Sequence, residues 1–439
     1  MLKYIPVVNL MYLISHTTSP LTTEINYVEF KLKNGLHVIM HRDTSNPIVA
    51  VNIWYHVGSK DEEKGYTGFA HLFEHMMFQG SENIGKAKHI EYINAAGGTM
   101  NGTTNQDRTN YFQTVPSNQL ELVLWLESDR MSSLNITQEN FDNQRDVVKE
   151  EKRQRYDNVP YGNRWIEISK RLFRNQPYEW MPIGSMEDLD NAGLEYAREF
   201  YKKYYSPDNA VLVISGDIDY EITRKLTEKY FGDIKPSGVR KKNYGEIIFN
   251  QGEITDTVYD NIKLEAVYIA YKIPGLKDES IPSFRLLSRT LGGGKSSRLY
   301  NELVNRKKLV KSVSSFVYDN ELAGMFIISA TALNGIKAEL IAQEISDIID
   351  DLFINPPTYS ETEKAKNYIE SAFVRSMETV LGKADNLAFY RTFFGNTAEI
   401  NKVAVKYMSL TPEQIIQHTG KYINPHNRVV LYYKPKNSQ

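Results

Sequence analysis

Hydrophobic and polar positions follow two different periods along this chain, and the mixture predicts an α+β protein. Apolar and polar residues alternate at 28–32 and 36–40, and Asn34-Gly35 between them is a typical hairpin turn. We expect each sheet to be mainly antiparallel and flanked by helices. Further strands are predicted at 49–54 and 210–215. Helices are predicted between them, at 67–79, 86–95, 119–131 and 137–156.

The second half of the chain repeats this order of elements. The motif Pro207-Asp208-Asn209 recurs as Pro425-His426-Asn427, and each copy precedes an apolar strand. Ordinary turn chemistry explains such a motif on its own, but the repeated order of elements favours a duplication. We therefore predict two homologous α/β halves, at 25–235 and 249–439, joined by a linker at 236–248. In the second half, strands are predicted at 266–271 and within 312–332. Helices are predicted at 282–291, 298–304, 338–352 and 362–379.

Composition narrows the chemistry that the chain can use. Its 439 residues carry 52 basic and 54 acidic side chains, so no net field draws it to nucleic acid, and we predict no such partner. Cysteine is absent, which leaves His, Asp and Glu as the strong metal ligands. No apolar run approaches the ~18 residues of a transmembrane helix. The segment 4–14 resembles a signal-peptide core without a cleavage site, and an irregular extension is the alternative.

Three polar residues interrupt an otherwise apolar helical segment at 69–78. His71, Glu74 and His75 have the spacing i, i+3, i+4 and share one helical face. Because a helix that is apolar nearly all round is buried, these groups need partners, which a divalent metal ion would provide. H-x-x-E-H is the inverzincin signature, in which two imidazoles bind zinc and the carboxylate takes a proton from water. A hydrogen-bonded core cluster without metal is the alternative.

Catalytic zinc usually has three protein ligands, so a third ligand must lie elsewhere in the chain. The charged helical segment 141–153 has one less polar stripe, which contains Gln144, Val147, Val148 and Glu151. Glu151 lies on the face that packs inward, whereas Glu150 points about 100° away from it. We predict Glu151 as the third ligand, and a solvated glutamate at the edge of the stripe is the alternative.

These motifs resemble those of the pitrilysin-type zinc peptidases, and the resemblance runs from Tyr27 to Lys434. It rests on the segments 71–75, 145–151 and 292–299. The family fold implies that each chain forms half of a clamshell chamber around its substrate. The implied function is that of a zinc metalloendopeptidase, which hydrolyses internal bonds of extended or unfolded peptides. Some relatives are non-catalytic scaffold or partner subunits, and that role is the alternative.

The resemblance also assigns roles to individual residues. It implies one zinc ion per chain, bound by His71, His75 and Glu151, and it makes Glu74 the general base. Gln144 stands where the family often has a glutamate that supports the metal ligands from behind, and its amide can still hydrogen-bond. Bacterial members of this kind are soluble proteins of the cytoplasm or the periplasm, and the sequence does not decide between these compartments.

The segment 97–112 resembles the family's edge strand, to which an extended peptide adds as a further strand. Plain turn chemistry is the alternative reading of its Gly-Gly-Thr and Asn-Gly sequences. Within it, Gly102 replaces the alanine that is common at this position in the family. The residues that we predict to bind substrate are Asn101, Gly102, Thr103 and Tyr111.

One departure from the family pattern indicates a partner. Catalytically self-sufficient relatives place an arginine and a tyrosine after the Gly-rich turn at 292–294, where they stabilise the oxyanion; here Val304 and Lys311 occupy those positions. We therefore expect a dimer in which a homologous subunit supplies the arginine and the tyrosine. The alternatives are that Lys311 or Arg306 substitutes for them, or that the alignment is displaced.

Overall fold

The computed structural model describes residues 24–191, 193–238 and 242–436. The signal-like segment at 4–14, together with Arg240 and Lys241 of the predicted linker, lies outside these residues. Within them, no helix is both long and apolar enough to cross a membrane.

Each half of the chain contributes one sheet with helices around it. The strands of the first half are β1 Val28–Lys31, β2 His37–Arg42, β3 Ile48–Tyr55, β4 Thr99–Thr104, β5 Thr109–Pro116 and β6 Ala210–Gly216. Its helices are α1 Phe69–Met76, α2 Lys88–Ala95, α3 Leu120–Ser132, α4 Gln138–Lys152, α5 Arg164–Leu172, α6 Met186–Asn191, α7 Leu194–Tyr204 and α8 Tyr220–Phe231.

The second half is built in the same way. Its strands are β7 Ile254–Asp260, β8 Ala266–Pro274, β9 Val310–Tyr318, β10 Ala323–Ala332 and β11 Arg428–Pro435. Its helices are α9 Ile281–Gly292, α10 Ala338–Ile354, α11 Tyr359–Ser376, α12 Val380–Phe389, α13 Val403–Met408 and α14 Pro412–Gly420.

The two sheets have the same topology, which confirms the predicted fold class of two similar halves. The first sheet has the order β1-β2-β6-β3-β5-β4, and the second has the order β7-β11-β8-β10-β9. In each sheet the last strand of the half, β6 or β11, inserts between two earlier strands and runs parallel to one of them. All other pairs are antiparallel. When β1 is left out, the two sheets have the same strand order, and β2, β6, β3, β5 and β4 correspond to β7, β11, β8, β10 and β9.

The repeated Pro-x-Asn motif makes the same contact in both halves. The side-chain amide of Asn209 donates to the carbonyl of Tyr204 at 2.9 Å, and that of Asn427 donates to the carbonyl of Tyr422 at 2.8 Å. Each motif thereby fixes the turn that leads into the inserted strand. The repeat predicted from the sequence is thus matched in hydrogen bonding as well as in topology.

Each half also covers the other half's sheet with one of its helices. Helix α12 packs Ala384 and Leu387 against β3 and β6 of the first sheet. Helix α5 packs Ile168 and Leu172 against β8 and β11 of the second sheet. Because each half packs one helix on the other half's sheet, the packing does not separate the two halves cleanly. The domain boundaries at 235 and 249 stay a prediction from the sequence.

Candidate metal centre

Helix α1 carries the H-x-x-E-H motif into the core of the first half. Phe69, Leu72, Phe73 and Met76 are fully buried on its apolar sides. Phe69 packs against Phe141 of α4, with their ring centroids 6.4 Å apart. This packing turns the remaining face of α1, with His71, Glu74 and His75, towards α4 and β4.

Helix α4 brings Glu151 to the two histidines. Its Oε2 lies 3.3 Å from Nε2 of His75 and 3.8 Å from Nε2 of His71. Glu150 instead points to solvent, where it pairs with Arg153 at 3.1 Å. The structure therefore places Glu151, and not its neighbour, beside the imidazoles.

The three side chains suit a tetrahedral metal ion. Their ligand atoms lie within 4.8 Å of one another, and this is the only His/Asp/Glu group of its kind found across residues 24–191, 193–238 and 242–436. Zinc bonds of about 2.0–2.1 Å in a tetrahedral site separate neighbouring ligand atoms by roughly 3.3–3.5 Å. The two separations measured from Glu151, 3.3 Å to His75 and 3.8 Å to His71, are close to these values.

Electrostatics favour the protonation states that bind a metal. Burial and the adjacent imidazole of His75 hold the pKa of His71 below its usual value, so its ring is neutral. The hydrogen bond from His75 lowers the pKa of Glu151, so its carboxylate is ionised. A neutral imidazole and an ionised carboxylate are the forms that a divalent ion requires.

The structure shows no hydrogen bond between Gln144 and Nδ1 of His71. Gln144 is buried on α4, seven residues before Glu151 on the same helical face. However, Nδ1 of His71 is buried with no hydrogen-bond partner among the described residues, so the amide of Gln144 does not bond it. The role of Gln144 near the site stays a prediction.

Glu74 lies directly beneath the edge strand β4. A Cβ atom added to Gly102 would stand 3.2 Å from Cγ of Glu74, so the backbone of this strand passes close over the carboxylate. Burial raises the pKa of Glu74, although the nearby Thr104 hydroxyl and His75 oppose the shift. A carboxyl group with a raised pKa is a better proton acceptor than an ordinary glutamate.

Three of the residues predicted to bind substrate, Asn101, Gly102 and Thr103, lie on this strand, and Tyr111 lies opposite Gly102 on β5. Strand β4 is the outer strand of its sheet, and the N–H of Gly102 donates to Oδ1 of Asn101 at 2.9 Å instead of to β5. Backbone groups of Gly102 thus point to the open edge. The Thr103 side chain bonds Asn110 at 2.6 Å on the other face of the sheet, beside a cavity of about 450 Å³. Tyr111 is fully buried, so its ring supports β4 from below.

A further carboxylate near the site was not predicted from the sequence. Glu62 is buried, and its carboxylate accepts hydrogen bonds from the N–H groups of Gly68 (3.0 Å) and Ala70 (2.8 Å) at the start of α1. The indole of Trp180 donates to it at 2.9 Å. In the sequence Glu62 belongs to the charged run 61–64, which is typical of a solvated turn. Its contact with Trp180 joins residues that are 118 positions apart, so the sequence alone does not indicate it.

The second-half positions that suggested a partner lie near the second sheet. Val304 belongs to a π-helical segment, Tyr300–Arg306, and packs against the second core. Lys311 is exposed on β9, the outer strand that corresponds to β4. The predicted helix at 298–304 is thus present, with π geometry from Tyr300 onward.

Comparison with known proteins defines the class of the chain. The profile of the family described as Insulinase (Peptidase family M16) matches residues 37–179, and that described as Peptidase M16 inactive domain matches residues 192–369. All four residues of the candidate centre lie in the first of these ranges. The chain belongs to the pitrilysin-type peptidase family, M16, as the resemblance implied.

Individual relatives agree with this family membership. The chain is 29% identical over 408 residues to the zinc protease PqqE of Helicobacter pylori, covering 92% of each protein. It is similar to the crystal structure of a protease from Helicobacter pylori, with a TM-score of 0.88, 28% identity and coverage of 94% of this chain and 100% of that one. The periplasmic protease PqqL of Escherichia coli shares the fold, with a TM-score of 0.74 and 17% identity; the match covers 93% of this chain and 47% of PqqL.

Proposed function

We propose that this chain is a zinc metalloendopeptidase that hydrolyses internal bonds of extended or unfolded peptides. The observation that carries the proposal is the convergence of His71, His75 and Glu151 near the half-buried carboxylate of Glu74. That set joins a metal site to a proton acceptor, the two parts that metal-assisted hydrolysis requires. The names of the relatives as zinc proteases support it.

In this proposal His71, His75 and Glu151 hold one zinc ion per chain. A bound zinc ion supplies Lewis acidity and lowers the pKa of water that it activates. Glu74 accepts the proton of the attacking water and later returns it to the leaving amine. Its raised pKa suits both transfers, since the group must gain and lose a proton near neutral pH.

We further propose that the substrate binds along β4. The outward backbone groups of Gly102 are available to an added strand once the Asn101 side chain releases the Gly102 N–H. A peptide paired there runs past Glu74, because the same glycine lies over that carboxylate. Because Gly102 has no side chain, the backbone of β4 can lie close to Glu74.

A homologous subunit completes the proposed enzyme. Val304 and Lys311 stand at the positions where self-sufficient relatives have the arginine and the tyrosine, and PqqL contains this fold in 47% of a longer chain. Two chains of the present length would together have about the length of PqqL. The partner would supply the oxyanion donors, each of which is worth about 10²–10³ in rate.

A non-catalytic scaffold is the second candidate, which the description of the second matching profile as an inactive domain favours. That profile matches 192–369, however, and leaves out the candidate centre in the first half. A chain with intact ligands that binds zinc yet cleaves no peptide with any homologous partner would support the scaffold role.

Two adjacent glutamates provide a matched test of the metal site. We expect Glu151→Gln to weaken zinc binding by at least about 10–100-fold, because losing a ligand should cost no less than losing a residue that only supports a ligand. Glu150→Gln should leave the affinity unchanged, since Glu150 faces solvent. Zinc affinity is measured by competition with a chelator, alongside cleavage of an unfolded polypeptide. Equal affinities in the two variants would remove Glu151 from the proposed ligand set.

A further inference from the structure

A buried group of charged side chains joins the two halves of the chain. This inter-half cluster consists of Lys60, Asp61 and Asp107 from the first half and Glu321 from the second. The Nζ of Lys60 lies 3.2 Å from Asp107, 3.3 Å from Glu321 and 3.6 Å from Asp61, and the Lys60 side chain is only 2% exposed. One buried cation thus meets carboxylates from both halves.

The first-half members of the cluster lie at the ends of the two elements that build the candidate site. Asp107 lies in the turn between β4 and β5, whereas Lys60 lies in the turn that leads to α1. These turns are bonded to each other, because the backbone N–H of Lys60 donates to the carbonyl of Gln106 at 2.9 Å and its Nζ donates to that of Asp107 at 3.1 Å. Glu62, which caps α1, follows two residues after Lys60. The cluster therefore sits where the edge strand and the metal-binding helix are joined.

The second half closes the cluster through the turn between β9 and β10. The backbone N–H of Glu321 donates to Asp107 at 2.9 Å, and its carboxylate lies 2.7 Å from Nε2 of His56. Tyr178 donates to Asp107 at 2.8 Å and accepts from the N–H of Leu322 at 2.9 Å. Both first-half turns are thereby fastened to the second half.

Lys60 and Glu321, the pair that joins the two halves, favour their charged forms. Burial lowers the pKa of Lys60, but the carboxylates around it raise the value above that of an ordinary lysine. Burial raises the pKa of Glu321, whereas His56 and Lys60 together bring it down to about 2. Removing one member of such a group leaves its partners buried without compensation, so the geometry of the turns depends on all of them.

We propose that Glu321 is a positioning residue that, from the second half, fixes the edge strand β4 relative to the helix α1. It acts through Lys60 and Asp107, and so sets where a peptide paired with β4 stands relative to Glu74 and the metal ligands. The effect of Glu321 on catalysis rests on the proposed function, that of a zinc metalloendopeptidase. It assigns the second half a part in building the first half's site.

A matched pair of variants separates positioning from general stability. Asp43 and Lys383 also form an ion pair between the halves, but they lie after β2 and in α12. We expect Glu321→Gln to raise KM for an unfolded peptide about three- to tenfold and to weaken zinc binding by a similar factor. Asp43→Asn should lower the unfolding temperature without either effect. Glu321→Asp, which keeps the charge, should recover part of both losses.

Hydrogen exchange tests the proposal independently of cleavage. In Glu321→Gln, exchange should accelerate in segments 58–76 and 99–116, whereas Asp43→Asn should leave these segments protected as in wild type. If the wild type binds zinc but cleaves nothing, the proposed function fails while this comparison still decides the inference. If Glu321→Gln does not fold, Glu321→Asp and Asp43→Glu form the comparison. Equal KM, zinc affinity and exchange in the two variants of either pair would overturn the proposal.

Discussion

At the scale of single residues, the site depends on how closely the backbone of β4 approaches Glu74. Gly102 is a point of close approach, where an added Cβ would meet Cγ of Glu74 at 3.2 Å and Cδ1 of Tyr111 at 3.1 Å. The glutamate can move by a few tenths of an ångström, because its side chain is flexible. A buried tyrosine ring cannot move as easily. The space above Glu74 is therefore limited to about one methyl group.

Two substitutions at Gly102 test this limit. We expect Gly102→Ala to retain most of the cleavage rate, because one methyl group needs shifts of only a few tenths of an ångström between β4 and its neighbours Glu74 and Tyr111. Gly102→Val adds two further methyl groups and should lower kcat by about 10²-fold, the typical cost of displacing a catalytic group by about 1 Å. Steady-state kinetics with one peptide measures both. Equal rates for the alanine and valine variants would show that β4 does not constrain Glu74.

At the scale of elements, the sequence indicated the site well where its signal was local. Helical spacing brought His71, Glu74 and His75 to one face of α1, and the stripe on α4 distinguished Glu151 from Glu150. The orientation of the side chains on β4 and β5 was harder to predict, because residues of one strand alternate between faces, and Tyr111 on β5 proved to be buried. The exchange of α5 and α12 between the halves was not predictable either, since it depends on contacts between distant segments.

The support of α1 by Glu62 is a contact of the same long-range kind. Glu62→Ala leaves the N–H groups of Gly68 and Ala70 and the indole of Trp180 without their acceptor. We expect this variant to lower the free energy of unfolding by about 1–3 kcal/mol. Glu63→Ala removes the exposed neighbour and should change it by less than about 0.5 kcal/mol. Chemical denaturation of both variants provides the comparison, and equal losses would contradict a specific role for Glu62.

At the scale of the whole molecule, the two halves have one topology but carry different chemistry. The first sheet ends in β4 beside the candidate metal centre, and the second ends in the corresponding strand β9, which carries Lys311. Duplication was predictable from the repeated order of elements. The inter-half cluster was not, because Lys60 and Glu321 are 261 residues apart in sequence, and each reads as an ordinary surface charge.

The proposed partner gives a prediction at this scale. Diluted to a monomer, the purified chain should cleave peptides slowly, and a homologous subunit with the arginine and the tyrosine should raise kcat by at least about 10²-fold. Sedimentation and kinetics at matched concentrations measure assembly and rate together. Full activity of the monomer alone would show that Lys311 or Arg306 provides the missing donor.

The most direct test of the zinc-peptidase proposal is a comparison of wild type with Glu74→Gln. Both proteins are loaded with zinc, their metal content is measured, and each is assayed with a quenched peptide library together with the homologous subunit. We predict one zinc ion per chain in both, and a kcat lower by about 10²–10⁴-fold in the variant, because it lacks the proton acceptor. Undiminished cleavage by zinc-loaded Glu74→Gln would contradict the proposed mechanism.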